Sequence, residues 1–238
     1  MPHVSIKAET LFHVGALPVT NALITSTMVT LFFILIAVLY QYSKTVNALV
    51  NMLLKALYDL FSMVFHHEKL PVFFPLVSTF FLYIIGLNWF GLLPGVGSIG
   101  IVEGHGHGMV PILRGGTADL NTTLGLAFLA IILVQVYGIK YLGFKGYISK
   151  FINFKSPIEF GVGILEIVSE LSRAISLAFR LFGNILAGEI LLGIVAFLVP
   201  VLASLPFLVF EIFVGFIQAT VFAMLVAIFL SVATSVEH

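Results

Sequence analysis

The sequence predicts an all-α polytopic membrane protein with about five membrane-associated spans, an amphipathic surface helix and two long, strongly tilted C-terminal helices. Hydrophobic residues make up 60% of the 238 positions and charged residues only 9%, against roughly 25% charged in globular domains. Apolar runs long enough to cross a hydrocarbon core of about 30 Å recur along the chain. A soluble chain of this length would need more charge to cover its surface.

Composition also excludes several classes of function. Eleven basic residues balance eleven acidic ones, so we expect no nucleic-acid partner. The chain has no cysteine, which rules out disulfides and thiolate metal sites. His105 and His107 stand in a glycine-rich loop and resemble a metal site only weakly. We therefore predict no metal and no cofactor.

We predict a single membrane domain, 1–238. Its first half separates into segments where the polarity of the sequence changes. The segment 20–42 is the first span, and no positive n-region directly precedes it, so we interpret it as a retained anchor. In 43–70, apolar residues recur at three- and four-residue spacing among charges, which predicts the amphipathic helix. The second span is 71–95, ended by Pro94-Gly95.

The second half begins with the third span, 119–142, and a basic loop, 143–157. The segment 158–199 has no proline, and as one helix it would be about 60 Å long, twice the hydrocarbon thickness. Such a helix must break or tilt strongly, and its polar groups favour tilt. A proline-containing turn, 200–206, leads to the final helix, 207–238.

Lysine asymmetry predicts the orientation in the membrane. Three lysines lie between the first two spans, and Lys140, Lys145, Lys150 and Lys155 lie in or after the end of the third. The intervening segment 96–118 holds one basic residue, Arg114. We therefore expect the lysine-rich loops and the C-terminus in the cytoplasm. The N-terminal segment 1–19, the 96–118 loop and the turn after residue 199 are then outside.

Seven-residue spacing places a polar stripe on the tilted helix. Glu166, Arg173 and Arg180 are seven apart, so they share one face of the helix. A charge at mid-bilayer depth costs about 2.5–3.5 kcal/mol and marks function by default. Simple salt bridges remain the alternative for Arg173. Further polar residues fill this stripe or the face beside it: Ser169, Glu170, Ser172, Ser176 and Asn184.

Arg180 is the most informative of these residues, because an arginine does not escape burial by losing its proton. The next acidic residue along the helix is Glu189, which lies on the opposite side of an ideal helix. Arg180 should therefore find its counter-charge outside its own helix, for example on another subunit.

The final helix repeats the pattern with Glu211 and Gln218, also seven apart. The turn before it makes the last two helices antiparallel neighbours, so we expect the Glu189 and Glu211 carboxyls to approach and share a proton. We expect Glu189→Gln to slow proton flux more than Glu211→Gln. The alternatives are a plain interhelical hydrogen bond for Gln218 and solvated glutamates at the membrane surface. Asp119 begins the third span, where ordinary helix capping also explains it.

Several of these stretches resemble subunit a of F-type ATP synthases. The most specific is Ser172–Asn184, SRAISLAFRLFGN, continued by ILAGE to Glu189. Thr117–Thr123 (TADLNTT) and Ile217–Phe222 (IQATVF) resemble two further motifs of that family, in the same order. One position departs: many bacterial members carry histidine where Glu211 stands.

The resemblance implies a non-catalytic stator subunit in a bacterial plasma membrane, beside a rotating ring of c subunits that each carry a buried carboxylate. Protons would enter by one aqueous half-channel, ride the ring and leave by another. It implies as partners the c-ring, the b-subunit peripheral stalk, other ATP synthase subunits and lipid. It also implies an essential Arg180 facing the ring, with Ser176, Asn184 and Gln218 on the ion pathway. Glu166, Glu170 and Arg173 would line its cytoplasmic end, and Asp119, Glu189 and Glu211 its outer end.

Two other classes of protein are alternatives to this family. A subunit of a proton-coupled secondary transporter or antiporter complex would show inverted repeats and broken helices at matching positions, and the sequence shows neither. A membrane-embedded hydrolase would need a nucleophile–base pair or a metal cluster within the spans. No histidine lies in the apolar part of any predicted span, since His238 stands at the very end of the final helix.

Overall fold

The computed structural model describes residues 8–15, 17–65, 68–93, 96, 100–102, 109–151, 157–199 and 204–235. Within these ranges five helices are long and apolar enough to cross a membrane. The chain is therefore an all-α integral membrane protein, which confirms the predicted fold class. Its helices are α1 (Asn21–Tyr42), α2 (Lys44–Phe61), α3 (Leu70–Phe90), α4 (Leu120–Leu142), α5 (Phe144–Phe151), α6 (Pro157–Leu198) and α7 (Ser204–Ala233).

Two short antiparallel hairpins flank the α1–α3 region. Strands β1 (Thr10–Val14) and β2 (Leu17–Thr20) pair just before α1, with Gly15 at a positive φ of 63° in their turn. Strands β3 (Gly100–Val102) and β4 (Met109–Pro111) pair between α3 and α4. A single 3-10 turn, Gly116–Ala118, then leads into α4.

Helix α2 is the amphipathic surface helix. It starts at Ser43, whose side chain accepts a hydrogen bond from the Val46 N–H at 3.4 Å, an ordinary N-cap. Leu57 and Phe61 on its last turns are buried against the bundle, whereas the other side is exposed. This arrangement suits a helix that lies along the membrane surface.

The core forms where α3, α4, α6 and α7 pack together. Its fully buried side chains include Phe73 and Ile84 of α3, Val134 of α4, Leu181 of α6 and Phe222 of α7. The most apolar window of α3 is 56% buried, and that of α1 is 17% buried. Helix α3 is therefore central, and α1 lies at the periphery with most of its apolar surface uncovered.

Helix α6 runs without interruption for 42 residues, about 63 Å at the α-helical rise. One face packs into the core through Ala174, Leu177 and Ala178, which are all buried. The opposite face is apolar and exposed, as at Ile175 and Phe179. A surface of this kind faces lipid or another subunit.

Some elements differ from the sequence prediction. The predicted turn 200–206 overlaps α7, which begins at Ser204. Its first turn includes Pro206, where the missing N–H has no intrahelical partner to lose. Within the predicted basic loop 143–157, Phe144–Phe151 is helical. The first hairpin lies in the segment 1–19 and ends one residue beyond it at Thr20, and the second lies in 96–118. Their strands are short and of mixed polarity, so the sequence pattern did not predict them.

Candidate functional site

Two groups of charged side chains include residues of α6, one on either side of Arg180. The Arg173 cluster comprises Glu166, Glu170 and Arg173, toward the start of the helix. The Arg114 cluster comprises Arg114, Glu189 and Glu211, toward its end. Along the helix axis, Arg180 lies about 10 Å beyond Arg173 and about 13 Å before Glu189.

The Arg180 side chain is exposed on the polar stripe of α6. Among the residues that the structure describes, its guanidinium makes no hydrogen bond and no ion pair. Exposed Ser176 lies one turn before it, and the exposed apolar residues Ile175 and Phe179 belong to the adjoining face. A permanent cation in such a place needs a carboxylate or water from outside the chain.

An open groove of about 280 Å³ runs between α6 and α7 and reaches Arg180. Hydroxyl groups and the two guanidinium groups make its α6 wall polar, so water can enter it. The Ser172 hydroxyl is already bonded, donating to the Val168 carbonyl at 2.7 Å. The lining residues are Ser169, Ser172, Arg173, Ser176, Leu177, Arg180, Leu225 and Phe229.

The Arg173 cluster is a set of ion pairs within α6. Arg173 Nη1 donates to Glu170 Oε1 at 2.7 Å, and its Nη2 lies 4.0 Å from Glu166 Oε1. The guanidinium also lies over the Phe229 ring, 5.2 Å from its centroid. Salt bridging, the alternative kept open for Arg173, is thus present in the structure.

Helix α5 places Tyr147 within electrostatic range of the Arg173 cluster. The tyrosine is buried, its ring contacts Gly138 of α4, and its hydroxyl donates to Gln135 Oε1. Burial, followed by the nearby charges of Glu170 and Glu166, raises the pKa of Tyr147 to about 12. Tyr147 therefore remains a protonated hydrogen-bond donor at physiological pH.

The Arg114 cluster joins residues far apart in sequence. Arg114 is only 6% exposed, and its Nε lies 3.3 Å from Glu189 Oε1. Its Nε and Nη2 both donate to Glu189 Oε2 at 3.4 Å. The Arg114 backbone N–H donates to the Thr25 hydroxyl at 3.3 Å, which ties the loop to α1. The sequence reasoning used Arg114 only as a loop charge and missed this pairing.

Glu211 is 5% exposed at the start of α7. Its carboxyl group packs so closely on Gly188 that a Cβ built there would overlap both carboxyl oxygens. Among the described residues, its Oε1 has no hydrogen-bond partner. Glu211 is also within electrostatic range of Glu189. The structure therefore brings together the two glutamates that the sequence analysis paired.

Asn184 and Gln218 link α6 to α7 one turn beyond Arg180. Asn184 Nδ2 donates to Gln218 Oε1 at 2.6 Å, and Gln218 is buried. The Gln218 Nε2 has no partner among the described residues. This contact is the interhelical hydrogen bond considered from sequence, placed between Arg180 and the Arg114 cluster.

A buried amide, Asn88, links α3 to α7 about one turn from Glu211 and was not predicted as a site residue. Asn88 Oδ1 accepts from the Thr117 hydroxyl at 2.6 Å, and its Nδ2 donates to the Gly215 carbonyl at 3.0 Å. Trp89 Nε1 donates to the Ile212 carbonyl at 3.1 Å. These bonds attach α7 and the 3-10 turn to the end of α3.

Asp119 is buried and caps α4. Its Oδ2 accepts from the Thr122 N–H at 3.3 Å and from the Thr122 hydroxyl at 3.2 Å, which is the capping role considered from sequence. His105 and His107 lie outside the described residues. Within the described part of the chain, no group of three or more histidine or carboxylate residues is placed to hold a metal ion.

The fold and the site together define a class: polytopic helical membrane proteins that carry functional charges within the bilayer. A family model described as ATP synthase A chain matches residues 20–231. The chain belongs to this family, which confirms the resemblance seen in its motifs and supports the role of an ATP synthase a subunit.

Individual relatives are similar over different lengths. An ATP synthase subunit a from Moorella thermoacetica is 28% identical over 92% of this chain and 93% of its own length. One from Desulforamulus reducens is 34% identical over 66% of this chain. One from Campylobacter jejuni is 39% identical over 61% of this chain. The matched region spans 55% of the Desulforamulus protein and 66% of the Campylobacter protein.

Proposed function

We propose that this chain is the stator subunit of a rotary ATP synthase that carries protons past a ring of c subunits and couples their flow to ring rotation. The observation that carries the proposal is Arg180, an exposed cation within a candidate membrane span, unpaired within the described residues. Membership of the ATP synthase A chain family supports the same role.

Arg180 has a clear task in this proposal. An ionised carboxylate on the ring cannot rotate into lipid, but it is stable opposite a fixed cation. At 4 Å and an effective dielectric constant of 20, the attraction is about 4 kcal/mol before desolvation. The same cation repels protons, so it also blocks a direct leak between the two aqueous paths.

The two polar regions beside Arg180 supply the half-channels. The groove along Ser176 and the Arg173 cluster forms the cytoplasmic path. The Arg114 cluster, near Asp119, forms the outer path. The bonded pair Asn184–Gln218 stands between Arg180 and the outer path. In this orientation the N-terminus is outside and the C-terminus is cytoplasmic, as lysine asymmetry predicts.

Partners follow from the exposed surfaces. The uncovered face of α6 around Arg180 is the contact for the c-ring. The uncovered apolar face of α1 meets lipid or the b-subunit peripheral stalk. The chain itself catalyses no bond chemistry, and the assembly resides in a bacterial plasma membrane.

Cysteine cross-linking tests the ring contact directly, because the chain has no native cysteine. Gly183 lies beside Arg180, and a side chain added there meets nothing within 4 Å. We expect Gly183→Cys to form a disulfide with a cysteine placed beside the ring carboxylate. Gly125→Cys on α4 is the matched control, since a Cβ there is equally unobstructed. Equal cross-linking at both positions, or none at Gly183, would contradict the proposal.

A further inference from the structure

We propose that Arg114 is a positioning residue of the outer proton path. It holds Glu189 as a fixed carboxylate, so that Glu211 is the carboxyl group that takes up and releases the proton. This inference rests on the proposed function. It gives different roles to two glutamates that the sequence analysis treated as one pair.

The side chains of Arg114 and Glu189 are in direct contact. Two guanidinium nitrogens meet one carboxylate with N–O distances of 3.3–3.4 Å, so opposite charges face one another at two points of contact. Arg114 is buried and carries a permanent charge, so separating it from Glu189 would take a carboxylate away from a buried cation. That cost keeps Glu189 ionised while protons pass.

Arg114 is also held in place from its own backbone. Its N–H donates to Thr25 at 3.3 Å, and Asn21 Nδ2 donates to the nearby Pro111 carbonyl at 3.4 Å. Both partners belong to α1, so the loop that carries the cation is attached to a transmembrane helix. The cation is therefore a fixed element of the site.

Glu211 has the opposite surroundings. Its carboxyl group packs on Gly188, and one oxygen has no hydrogen-bond partner among the described residues. The structure gives it no ion pair within those residues. A buried carboxyl group without a donor is poorly solvated as an anion, so it can hold a proton and give it up with little rearrangement.

Among the described residues, the charge that acts directly on Glu211 is the anion Glu189 of α6. The cation Arg114, in the loop after β4, and Glu9, in the N-terminal segment, act electrostatically on Glu189. Helix α3 packs against this part of α7 through neutral polar groups, Asn88 and Trp89, which donate to the Gly215 and Ile212 carbonyls.

The formal charge of the Arg114 cluster then alternates between zero and minus one. Proton uptake forms one O–H bond on a Glu211 oxygen, and release to the ring carboxylate breaks it, with no other bond changed. Without Arg114 the same cycle would run between minus one and minus two, and Glu211 would keep its proton. Without Glu189 the cluster would carry one more positive charge, which favours the anionic form of Glu211.

The test measures passive proton conduction against pH in vesicles that contain the assembled membrane sector. Arg114→Gln should lower conduction about tenfold and move its pH dependence upward by about one unit. Glu189→Gln should lower conduction similarly and move the pH dependence downward. Arg114→Lys keeps the charge and should lose much less.

The decisive variant is Arg114→Gln combined with Glu189→Gln. It removes both fixed charges, so conduction should recover above either single variant and its pH dependence should return toward that of the unmodified protein. Glu211→Gln should abolish conduction in either background, which reverses the ranking of the two glutamates expected from sequence. A double variant no better than the worse single variant, or unshifted pH profiles, would overturn the inference.

Two controls make the outcome specific. Lys140→Gln removes a positive charge from an exposed position and should leave conduction unchanged. The amount of c-ring that purifies with each variant reports whether the complex assembles. Recovery of proton conduction in the double variant would also exclude misfolding as the cause of the losses in the single variants. Arg180→Ala in the same vesicles distinguishes the failures: if it conducts and couples normally, the proposed function itself is wrong.

Discussion

Individual charged residues in this chain differ mainly in whether they have a partner. Arg173 is paired with Glu170 at 2.7 Å, and Arg114 with Glu189 at 3.3 Å. Arg180 has no such partner among the described residues. A paired buried charge is a fixed local feature, whereas an unpaired one is available to a group that arrives from outside.

Gly188 provides a test of Glu211 that alters no charge. A Cβ at Gly188 would overlap the Glu211 carboxyl oxygens, and that carboxyl would have to move because it ends a flexible side chain. We expect Gly188→Ala to lower ATP-driven proton pumping about tenfold while the complex still assembles.

The control for this substitution is Gly125→Ala, where the added methyl group meets nothing within 4 Å. It should leave pumping unchanged and stabilise α4 slightly, since alanine favours helix over glycine by about 0.8–1.0 kcal/mol. Normal pumping by Gly188→Ala would show that the position of the Glu211 carboxyl does not matter.

Tyr147 gives a pH prediction outside the spans. Its pKa is raised from 10.0 to about 12, first by burial and then by Glu170 and Glu166. Because the folded-state pKa is the higher one, the stabilising contribution is complete below pH 10 and is lost as pH rises through about 12.

We expect the phenolate absorbance of the purified protein to include one group that titrates near pH 12, absent in Tyr147→Phe. The other tyrosines serve as the internal reference. A Tyr147→Phe difference spectrum that titrates near pH 10 would show that the ring is solvated and that α5 does not pack on α4 as described.

Spacing along one helix was readable from the sequence, and contacts between distant segments were not. Seven-residue steps predicted the shared face of Arg173 and Arg180, and Asp119 was recognisable as a helix cap. The partner of Glu189 stands 75 residues away in a loop, and no periodicity connects them. A lone arginine in a weakly charged loop was the only available signal.

Among the structural elements, the long helices were predictable and the short ones were not. Apolar length alone identified α1, α3, α4, α6 and α7, because a bilayer sets a minimum span. Helix α5 has eight residues, stands among lysines and is fixed by Tyr147 packing on Gly138. That is a tertiary contact, which outweighs local propensity.

At the scale of the whole molecule, the two charge clusters lie toward opposite ends of α6 and the unpaired arginine lies between them. Sequence predicted this order because α6 is one continuous helix. The surroundings of each cluster also depend on another element: Tyr147 of α5 lies near one, and the loop that carries Arg114 completes the other. Neither follows from the pattern of α6 itself.

The orientation of the molecule gives a labelling prediction. Phe12 in β1 is 51% exposed, and Met63 after α2 is 80% exposed. Lysine asymmetry places the first outside and the second in the cytoplasm. In vesicles of known sidedness, we expect Phe12→Cys to react with an impermeant thiol reagent only from outside and Met63→Cys only from the cytoplasmic side. The reverse pattern would invert the proposed half-channels.

The central claim is that Arg180 meets the ring carboxylate, and ATP-driven proton pumping by Arg180 variants tests it most directly. Arg180→Ala should assemble with the c-ring yet show no coupled pumping. Arg180→Lys should also pump poorly, because a buried lysine can lose its proton and lacks the planar guanidinium. Coupled pumping at the normal rate in either assembled variant would contradict the account.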